Sequence, residues 1–171
     1  MKHNRIYIIG NSGSGKSSLA KKLSQALKIK SYDLDDFYWL KKFTKKRDKQ
    51  EVDKLVKRIT REKKWVIEGV YSSCITCSLD KADLIVWLDY PFGVIAWQLI
   101  KRQIRRGEKL SDMLDFLHYI WDYYRKPTHK HYNRNESNYY KHKNIVDNYP
   151  AKIVHIRNRK QLEEFIRNIN I

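Results

Sequence analysis

The sequence predicts one three-layer α/β/α domain with a five-stranded parallel sheet. Short apolar runs alternate along the chain with longer segments whose apolar residues recur at helical spacing. Parallel strands covered by helices on both faces read as continuous apolar runs, and strands that alternate with helices form βαβ units. The 171 residues and 42% hydrophobic content suffice for a single core within residues 1–171. The predicted strands are "RIYII" (5–9), "SYDLD" (31–35), "WVIEG" (65–69), "ADLIVWLDYP" (82–91) and "AKIVHI" (151–156).

Helices are predicted in the segments that separate and follow these strands. In the helix that ends at Arg106, the spacing favours Trp97, Ile100 and Ile104 as the residues that face the core. Residues 107–148 are expected to form a helical lid or insert, and the sequence leaves open whether this segment is mobile or fixed. The helix that ends at Arg106 spans 92–106, and the other helical segments begin at Lys16 or lie within 47–64 and 159–169.

The chain is strongly basic. It has 36 Lys and Arg residues against 19 Asp and Glu, which gives a formal net charge of +17. Such a surface attracts phosphate-bearing molecules of any kind. No apolar run approaches the roughly 18–20 residues of a membrane span, and the start of the chain leads into a glycine-rich loop instead of a signal-peptide cleavage site. We therefore expect a cytoplasmic protein without a membrane partner.

Two cysteines, Cys74 and Cys77, have the C-x-x-C spacing that also occurs in redox and zinc sites. A structural zinc site needs a second pair of ligands at matching spacing, and "HKH" at 129–131 does not supply the usual one. Two partly buried thiols on a helix are therefore the favoured interpretation.

The stretch "GNSGSGKS" (10–17) matches the phosphate-binding pattern G-x-x-x-x-G-K-[ST] in full. It follows a predicted strand and opens a predicted helix, so its backbone N–H groups can surround phosphate oxygens. Lys16 is expected to reach the β- and γ-phosphates of ATP, and the Ser17 hydroxyl to bind Mg²⁺. The motif thus predicts a P-loop NTPase fold. The expected nucleotide-binding residues here are Gly10, Ser12, Gly13, Ser14, Gly15, Lys16, Ser17 and Ser18.

Acidic residues gather in "SYDLDDFYW" (31–39), which is unusual in so basic a chain. On a strand, Asp33 and Asp35 would point to the same face and repel each other unless a cation lay between them. A hydrated Mg²⁺ fits that requirement, and Asp35 can orient an acceptor hydroxyl and accept its proton. Asp36 can equally be a helix or turn cap. Positive charge for the transferred group can come from the helix before Gly107, so the predicted catalytic residues are Lys16, Asp35, Arg102 and Arg106.

The P-loop, together with "YDLDDFYW", "WVIEGVY", "ADLIVWLDYPF" and "VHIRNRKQLEEFI", resembles the DNA topology modulation (FlaR-related) family of adenylate kinase-like P-loop kinases. The resemblance implies that Asp33 and Asp35 correspond to the D-x-D of shikimate kinase-like enzymes. It also implies an acidic role for Glu68, which stands where relatives more often have Asp. The implied metal set is Ser17, Asp33 and Glu68, and Arg159 stands where related kinases hold adenine.

These observations predict a kinase that uses ATP and Mg²⁺ and transfers the γ-phosphoryl group to a nucleotide, a nucleoside or another small hydroxyl or phosphate acceptor. The alternative is an ATP-responsive nucleic-acid-binding protein that affects DNA topology. That alternative depends on the basic surface and on the tyrosine-rich stretch 125–143, where Tyr132, Tyr139 and Tyr140 can stack on bases.

Overall fold

Strand β1 (Arg5–Gly10) is the central strand of the sheet in the computed structural model of this chain, which describes residues 3–41, 44–69, 75–106, 110–125 and 138–169. Its apolar residues from Ile6 to Ile9 are fully buried, because helices cover both faces of the sheet. All pairs in this sheet are parallel, as predicted. From edge to edge the strands are β2 (Ser31–Asp33), β5 (Trp65–Glu68), β1, β6 (Leu84–Leu88) and β7 (Ile153–Ile156).

Two apolar clusters, one on each face of the sheet, form the core. The first contains Leu23, Leu99 and Ile120, and the second contains Val56 and Val146. The predicted three-layer α/β arrangement is therefore confirmed. The helices are α1 (Lys16–Leu27), α2 (Leu34–Tyr38), α3 (Lys49–Ile59), α4 (Ile75–Lys81), α5 (Phe92–Arg106), α6 (Leu110–Tyr124), α7 (Tyr139–Asp147) and α8 (Arg159–Ile169), with a short 3-10 turn at Pro150–Lys152. None of the helices in the described ranges is long and apolar enough to cross a membrane.

The second strand is shorter than predicted. It ends at Asp33, whose side chain accepts a hydrogen bond of 2.8 Å from the backbone N–H of Asp35 and so caps helix α2. The expectation that Asp33 and Asp35 share one face of a strand is therefore wrong. A small antiparallel pair, β3 (Trp39–Lys41) and β4 (Lys45–Lys46), follows this helix.

Helix α5 turns a different face to the core than the sequence predicts. Trp97 is 57% exposed and Ile104 is 75% exposed, whereas Ile95, Leu99 and Gln103 are buried. Both sets follow helical spacing, because this helix carries apolar residues around most of its circumference. The prediction for Trp97 and Ile104 was wrong for that reason.

The described parts of the expected lid belong to the two cores. Ile120 of α6 is fully buried in the first cluster, and Val146 of α7 is buried in the second. Buried between these helices, the Tyr123 hydroxyl lies 2.7 Å from Nδ1 of His142. Burial lowers the pKa of His142 to about 3, so its ring is neutral and accepts this bond. Helices α6 and α7 are thus a packed insert, while the predictions for 107–109 and 126–137 fall outside the described residues.

A pair of substitutions on α5 tests which face is buried. We expect Leu99→Ala to lower the free energy of unfolding by about 2–5 kcal/mol, because it leaves a cavity in the core. Ile104→Ala, a substitution of similar size on the same helix, should change it by less than about 0.5 kcal/mol. Urea denaturation measures both. A larger loss for Ile104→Ala than for Leu99→Ala would contradict the observed orientation.

Candidate functional site

The carboxyl ends of four neighbouring strands form one edge of the sheet, and the candidate site lies there. In the parallel register Asp33 pairs with Glu68, Ile8 with Glu68 and Gly10 with Leu88. Ligands in open α/β sheets bind at this carboxyl edge. The strand order therefore brings the end of β2 and the end of β5 next to the loop that leaves β1.

The loop at 10–15 contains two glycines, Gly10 and Gly13, that the surrounding atoms leave no room to replace. A Cβ on Gly10 would lie 2.6 Å from the carbonyl oxygen of Leu88, and one on Gly13 would lie 3.1 Å from Leu99. Gly13 and Gly15 also have φ angles of +77° and +90°, which side chains rarely permit. The loop therefore packs directly on β6 and on α5.

Within the loop, Asn11 receives most of the hydrogen bonds. Its side-chain Oδ1 accepts from the backbone N–H of Ser12 at 2.7 Å, and its carbonyl accepts from that of Ser14 at 3.2 Å. The same carbonyl accepts a bond of 3.0 Å from Nζ of Lys16. A Cβ on Gly15 would meet no atom within 4 Å, so the start of α1 faces open space. Backbone N–H groups at a helix start facing open space are what a phosphate needs.

Lys16 lies among three carboxylates. Burial lowers the pKa of its ammonium group, while Glu68, Asp35 and Asp33 act in the opposite direction, with Glu68 the strongest of them. Nearby carboxylates favour the charged form of an ammonium group, so the three acids oppose the effect of burial on Lys16. The structure thus places Lys16 near Asp33, Asp35 and Glu68.

Glu68 is the most buried of these acids, with 4% of its surface exposed. Burial raises its pKa, and a hydrogen bond from Ser17 is the largest opposing effect. One carboxylate oxygen, Oε1, is buried and has no hydrogen-bond partner within the described ranges. Together with the Ser17 hydroxyl, this oxygen belongs to the hard donor type that Mg²⁺ prefers.

A bound Mg²⁺ would need further ligands here. Over the described parts of the chain, no group of three or more His, Cys, Asp or Glu side chains is arranged to hold a metal ion. Mg²⁺ in phosphate-transfer sites keeps several waters and binds substrate phosphates, with one or two carboxylates from the protein. The residues present fit that second type of site, with Ser17, Asp33 and Glu68 at its protein side.

Asp35 and Asp36 are both exposed in the first turn of α2. The helix packs against the end of β5, where Leu34 lies directly against Gly69. A side chain on Gly69, whose φ is +113°, would crowd Leu34. The hydroxyl of Tyr7 donates a bond of 2.9 Å to the Gly69 carbonyl and fixes the same turn. The short helix α2 is therefore held in a defined position, and the carboxylate of Asp35 on it is open to solvent.

Beside this helix lies an aromatic pair. The rings of Tyr38 and Trp39 meet edge to face at 4.9 Å, and Nζ of Lys46 lies 5.4 Å and 5.8 Å from their centroids. Tyr38 is the last residue of α2 and Trp39 is the first residue of β3.

The predicted arginines have other contacts. The exposed guanidinium of Arg102 lies 5.7 Å from the ring of Phe116, and Arg159 forms an ion pair of 2.8 Å with Glu163 on its own helix. The Arg106 side chain falls outside the described part of the chain. Their roles toward phosphate and adenine remain predictions.

Sequence reasoning missed a polar and aromatic cluster at the carboxyl ends of β6 and β7. The rings of Trp87 and His155 stack 4.3 Å apart and nearly parallel, and Nε2 of His155 lies 2.8 Å from Asp89. Arg157 approaches the same carboxylate at 3.8 Å. Trp87 and His155 are register partners, so only the strand order brings them together.

Cysteine chemistry has no observed part in this site. Cys77 is a free, half-buried thiol on α4, and Cys74 lies outside the described residues. The interpretation of the C-x-x-C spacing as two partly buried thiols remains a prediction for Cys74.

Comparison with solved structures finds proteins of similar fold. A gluconokinase from Sinorhizobium meliloti 1021 is 14% identical, with 97% of this chain and 89% of that chain covered at a TM-score of 0.54. A shikimate kinase from Acinetobacter baumannii in complex with shikimate is 14% identical, with coverages of 97% and 90% and a TM-score of 0.51. An uncharacterized protein from Eubacterium ventriosum ATCC 27560 is 18% identical, with coverages of 96% and 97% and a TM-score of 0.54.

The chain has the fold of the P-loop kinases. At such low identities the likeness concerns the fold alone. Uncharacterized protein YqaC of Bacillus subtilis (strain 168) is 37% identical over 107 residues, which are 62% of this chain and 60% of that protein. This chain thus matches less than two thirds of the curated relative. No family model matches the chain, so membership in the DNA topology modulation family remains a prediction.

Two glycine substitutions test the loop of this P-loop kinase fold. Gly13→Ala forces a side chain into a left-handed backbone at a cost of about 1–2 kcal/mol and against Leu99. We therefore expect the affinity for MgATP, measured by calorimetry, to fall by roughly tenfold or more. Gly93→Ala is the control, because a Cβ on Gly93 meets no atom within 4 Å. Equal affinities for the two variants would contradict the observed packing of the loop.

Proposed function

We propose that this chain is a kinase that transfers the γ-phosphoryl group of ATP to a small acceptor with a hydroxyl or phosphate group. The observation that carries the proposal is the cluster of Asp33, Asp35 and Glu68 around Lys16, at the edge of the sheet where the P-loop begins. A loop that only binds phosphate needs no such group of carboxylates beside it. The acceptor class includes nucleotides, nucleosides and other small alcohols, and the shared fold with a gluconokinase and a shikimate kinase supports it.

The loop and the buried acids form the nucleotide half of the site. Backbone N–H groups of the loop and the Lys16 ammonium bind the β- and γ-phosphates. Ser17, Asp33 and Glu68 would hold a hydrated Mg²⁺, and the bound ion would supply positive charge to the phosphates. The proximity of Ser17 to Glu68 supports this assignment, because a single cation can contact the serine hydroxyl and the buried carboxylate.

Asp35 forms the acceptor half. Its carboxylate is exposed, unlike that of Glu68, so an incoming molecule can reach it. In the proposed step the acceptor oxygen attacks the γ-phosphorus, and the bond from that phosphorus to the bridging oxygen of ADP breaks. The proton of an acceptor hydroxyl passes to Asp35, and Lys16 stabilises the charge on the transferred group.

Three further assignments are kept as parts of the proposal. Arg102 and Arg106 contact the phosphates from the C-terminal half of α5, and Arg159 or Arg157 contacts the adenine. The cytoplasm is the proposed location of the protein. Membership in the DNA topology modulation family remains a prediction.

Neighbouring aspartates on α2 allow a matched test of the acceptor role. The protein is mixed with MgATP and a panel of nucleoside monophosphates, nucleosides and small alcohols. One acceptor class should stimulate the release of ADP. We expect Asp35→Asn to reduce that stimulation by roughly 10²–10⁴-fold, the usual contribution of a general base. Asp36→Asn, one residue along the same exposed turn, should retain most of it. Both variants should bind MgATP as the unchanged protein does.

Two outcomes would count against this function. Stimulation that survives Asp35→Asn removes Asp35 from the acceptor site. Absence of stimulation by every acceptor in the panel, in a protein that binds MgATP, argues for a binding role instead of phosphoryl transfer.

A second candidate function is the ATP-responsive binding of single-stranded nucleic acid. Within the tyrosine-rich stretch, Tyr139 packs among Trp87, Tyr123 and Tyr124, which leaves little of its ring for a base, and Tyr132 is outside the described residues. Helix α5 offers a better surface. It has no acidic residue, and Trp97 is exposed with Nζ of Lys101 4.8 Å above its ring.

This second function predicts a tryptophan-specific effect. Stacking of one base is worth about 1–3 kcal/mol, so Trp97→Ala should weaken binding of a labelled single-stranded oligonucleotide by roughly tenfold. Trp121→Ala removes a similarly exposed ring from α6 and is the control. Fluorescence anisotropy at two salt concentrations, with and without MgATP, measures the affinities. Salt-sensitive binding that ignores both substitutions and MgATP would mean only a basic surface.

A further inference from the structure

Helix α5 carries a line of apolar side chains that reach its surface. Trp97 is 57% exposed, and Ile104, two turns later, is 75% exposed. Val94 precedes them at 40% exposure, and the half-buried Ile100 lies between them. Positions 94, 97, 100 and 104 follow the spacing of one helix face, and we call them the apolar stripe. Several exposed apolar residues on one line, unlike single scattered ones, are typical of an interaction site.

A row of basic residues runs beside the apolar stripe. Lys101 and Arg105 are exposed and lie one turn apart on the same helix. Nζ of Lys101 lies 4.8 Å from the centroid of the Trp97 ring, which is a cation–π contact between the row and the stripe. The sequence of α5 contains no acidic residue. The exposed face of this helix therefore combines apolar and positively charged groups with no negative charge of its own.

The phosphate-binding loop packs on another side of α5. Ile95 and Leu99 are buried and lie against Gly13. With about 3.6 residues per turn, Trp97 and Leu99 point in nearly opposite directions. A surface bound along the apolar stripe therefore does not occupy the side of α5 on which the loop packs.

An anionic lipid surface matches this combination of side chains. Helices that lie in the plane of a bilayer insert apolar side chains at the boundary between headgroups and acyl chains, and their Lys and Arg side chains contact anionic headgroups. Tryptophan is enriched at that boundary, because its ring is apolar and its N–H is polar. Charge complementarity extends beyond the helix, since the chain has a formal net charge of +17 and anionic leaflets attract basic segments.

The exposed apolar residues of the neighbouring helix α6 have a different charge environment. Leu114 and Trp121 are exposed there. Each is followed directly by an aspartate, Asp115 or Asp122, and anionic lipid repels carboxylates. Of the two helices, α5 is therefore the one suited to an anionic surface.

A single-stranded nucleic acid would use the apolar stripe less fully than a bilayer. Bases stack on aromatic rings, so Trp97 would contribute, while the aliphatic Val94 and Ile104 would stay in water. A bilayer removes all three side chains from water. The high exposure of Ile104 therefore favours lipid as the occupant of this face.

We propose that α5 binds the surface of an anionic lipid bilayer. Trp97 and Ile104 lie at the boundary of the acyl chains, and the side chains of Lys101 and Arg105 contact the phosphates of the headgroups. Such a helix lies on the membrane and does not cross it. The site requires neither nucleotide nor phosphoryl transfer, so it goes beyond the proposed function and is tested separately from it.

Vesicles of defined composition test this site on the full chain without nucleotide. One set contains phosphatidylcholine alone, the other contains equal amounts of phosphatidylcholine and phosphatidylglycerol, and co-sedimentation measures the bound fraction. Ile104→Gln removes an apolar side chain from the stripe, and Lys101→Gln removes a charge from the row beside it. Leu114→Gln is the matched control, because it changes an exposed apolar residue of α6 in the same way. The thermal midpoint verifies that each variant is folded.

We expect the protein to bind the mixed vesicles and not those of phosphatidylcholine alone, with an affinity that falls as salt is added. Ile104→Gln should weaken binding by roughly tenfold, because it removes apolar area that the bilayer buries. Lys101→Gln should weaken it by roughly fivefold, the contribution of one basic side chain near an anionic surface. Leu114→Gln should bind as the unchanged protein does.

Tryptophan fluorescence identifies the ring that enters the bilayer. Brominated phosphatidylcholine quenches a tryptophan only when its ring reaches the acyl chains. Quenching by mixed vesicles that contain this lipid should be lost in Trp97→Phe and retained in Trp121→Phe.

Three results would overturn the proposal. The first is equal binding to the two kinds of vesicle, or binding to neither. The second is equal affinity of Ile104→Gln and the unchanged protein for the mixed vesicles, which would mean a basic surface only. The third is quenching that persists in Trp97→Phe. A protein that binds a labelled single-stranded oligonucleotide but no vesicle would assign this face to nucleic acid instead.

Discussion

The close approach of strands β1 and β6 at Gly10 is the constraint on which the rest of the site depends. Only a hydrogen atom fits between this residue and the carbonyl of Leu88, so the chain can leave the sheet there only through a glycine. The loop then turns over Ile95 and Leu99 of α5 and opens α1. Its shape is consequently set by residues that also form the hydrophobic core. A phosphate site built in this way needs little ordering when its ligand arrives, which favours affinity.

Charge explains why a basic protein concentrates its acids near residue 35. A lysine enclosed by a loop would lose its proton more readily, and the three surrounding carboxylates oppose that loss. The same lysine offsets the cost of burying Glu68, whose pKa is raised by its surroundings. Lys16 and the carboxylates therefore offset part of the effect of burial on one another. The excess of positive charge elsewhere attracts anions from solution.

The sequence was sufficient where a local pattern has a single structural solution. The P-loop motif and the apolar runs defined the loop, the five strands and the α/β class, because their residues specify backbone geometry directly. Prediction from the sequence failed where one local pattern fits two structures. Asp33 can end a strand or continue it, and its bond to the N–H of Asp35 favoured the helix. Trp97 and Leu99 both fit an inward stripe on α5, and only packing against Gly13 and α6 distinguishes them. Contacts such as Trp87 with His155 need the strand order, which no local pattern contains.

The two outer strands of the sheet have a consequence for behaviour in solution. β2 has three residues and β7 has four, so each edge exposes only a few backbone groups to another chain. Long, flat edges promote pairing between molecules, and short ones oppose it. Repulsion between copies with a net charge of +17 acts in the same direction. The protein should therefore resist aggregation at high concentration, and dissolved polyanions that neutralise its charge should weaken that resistance.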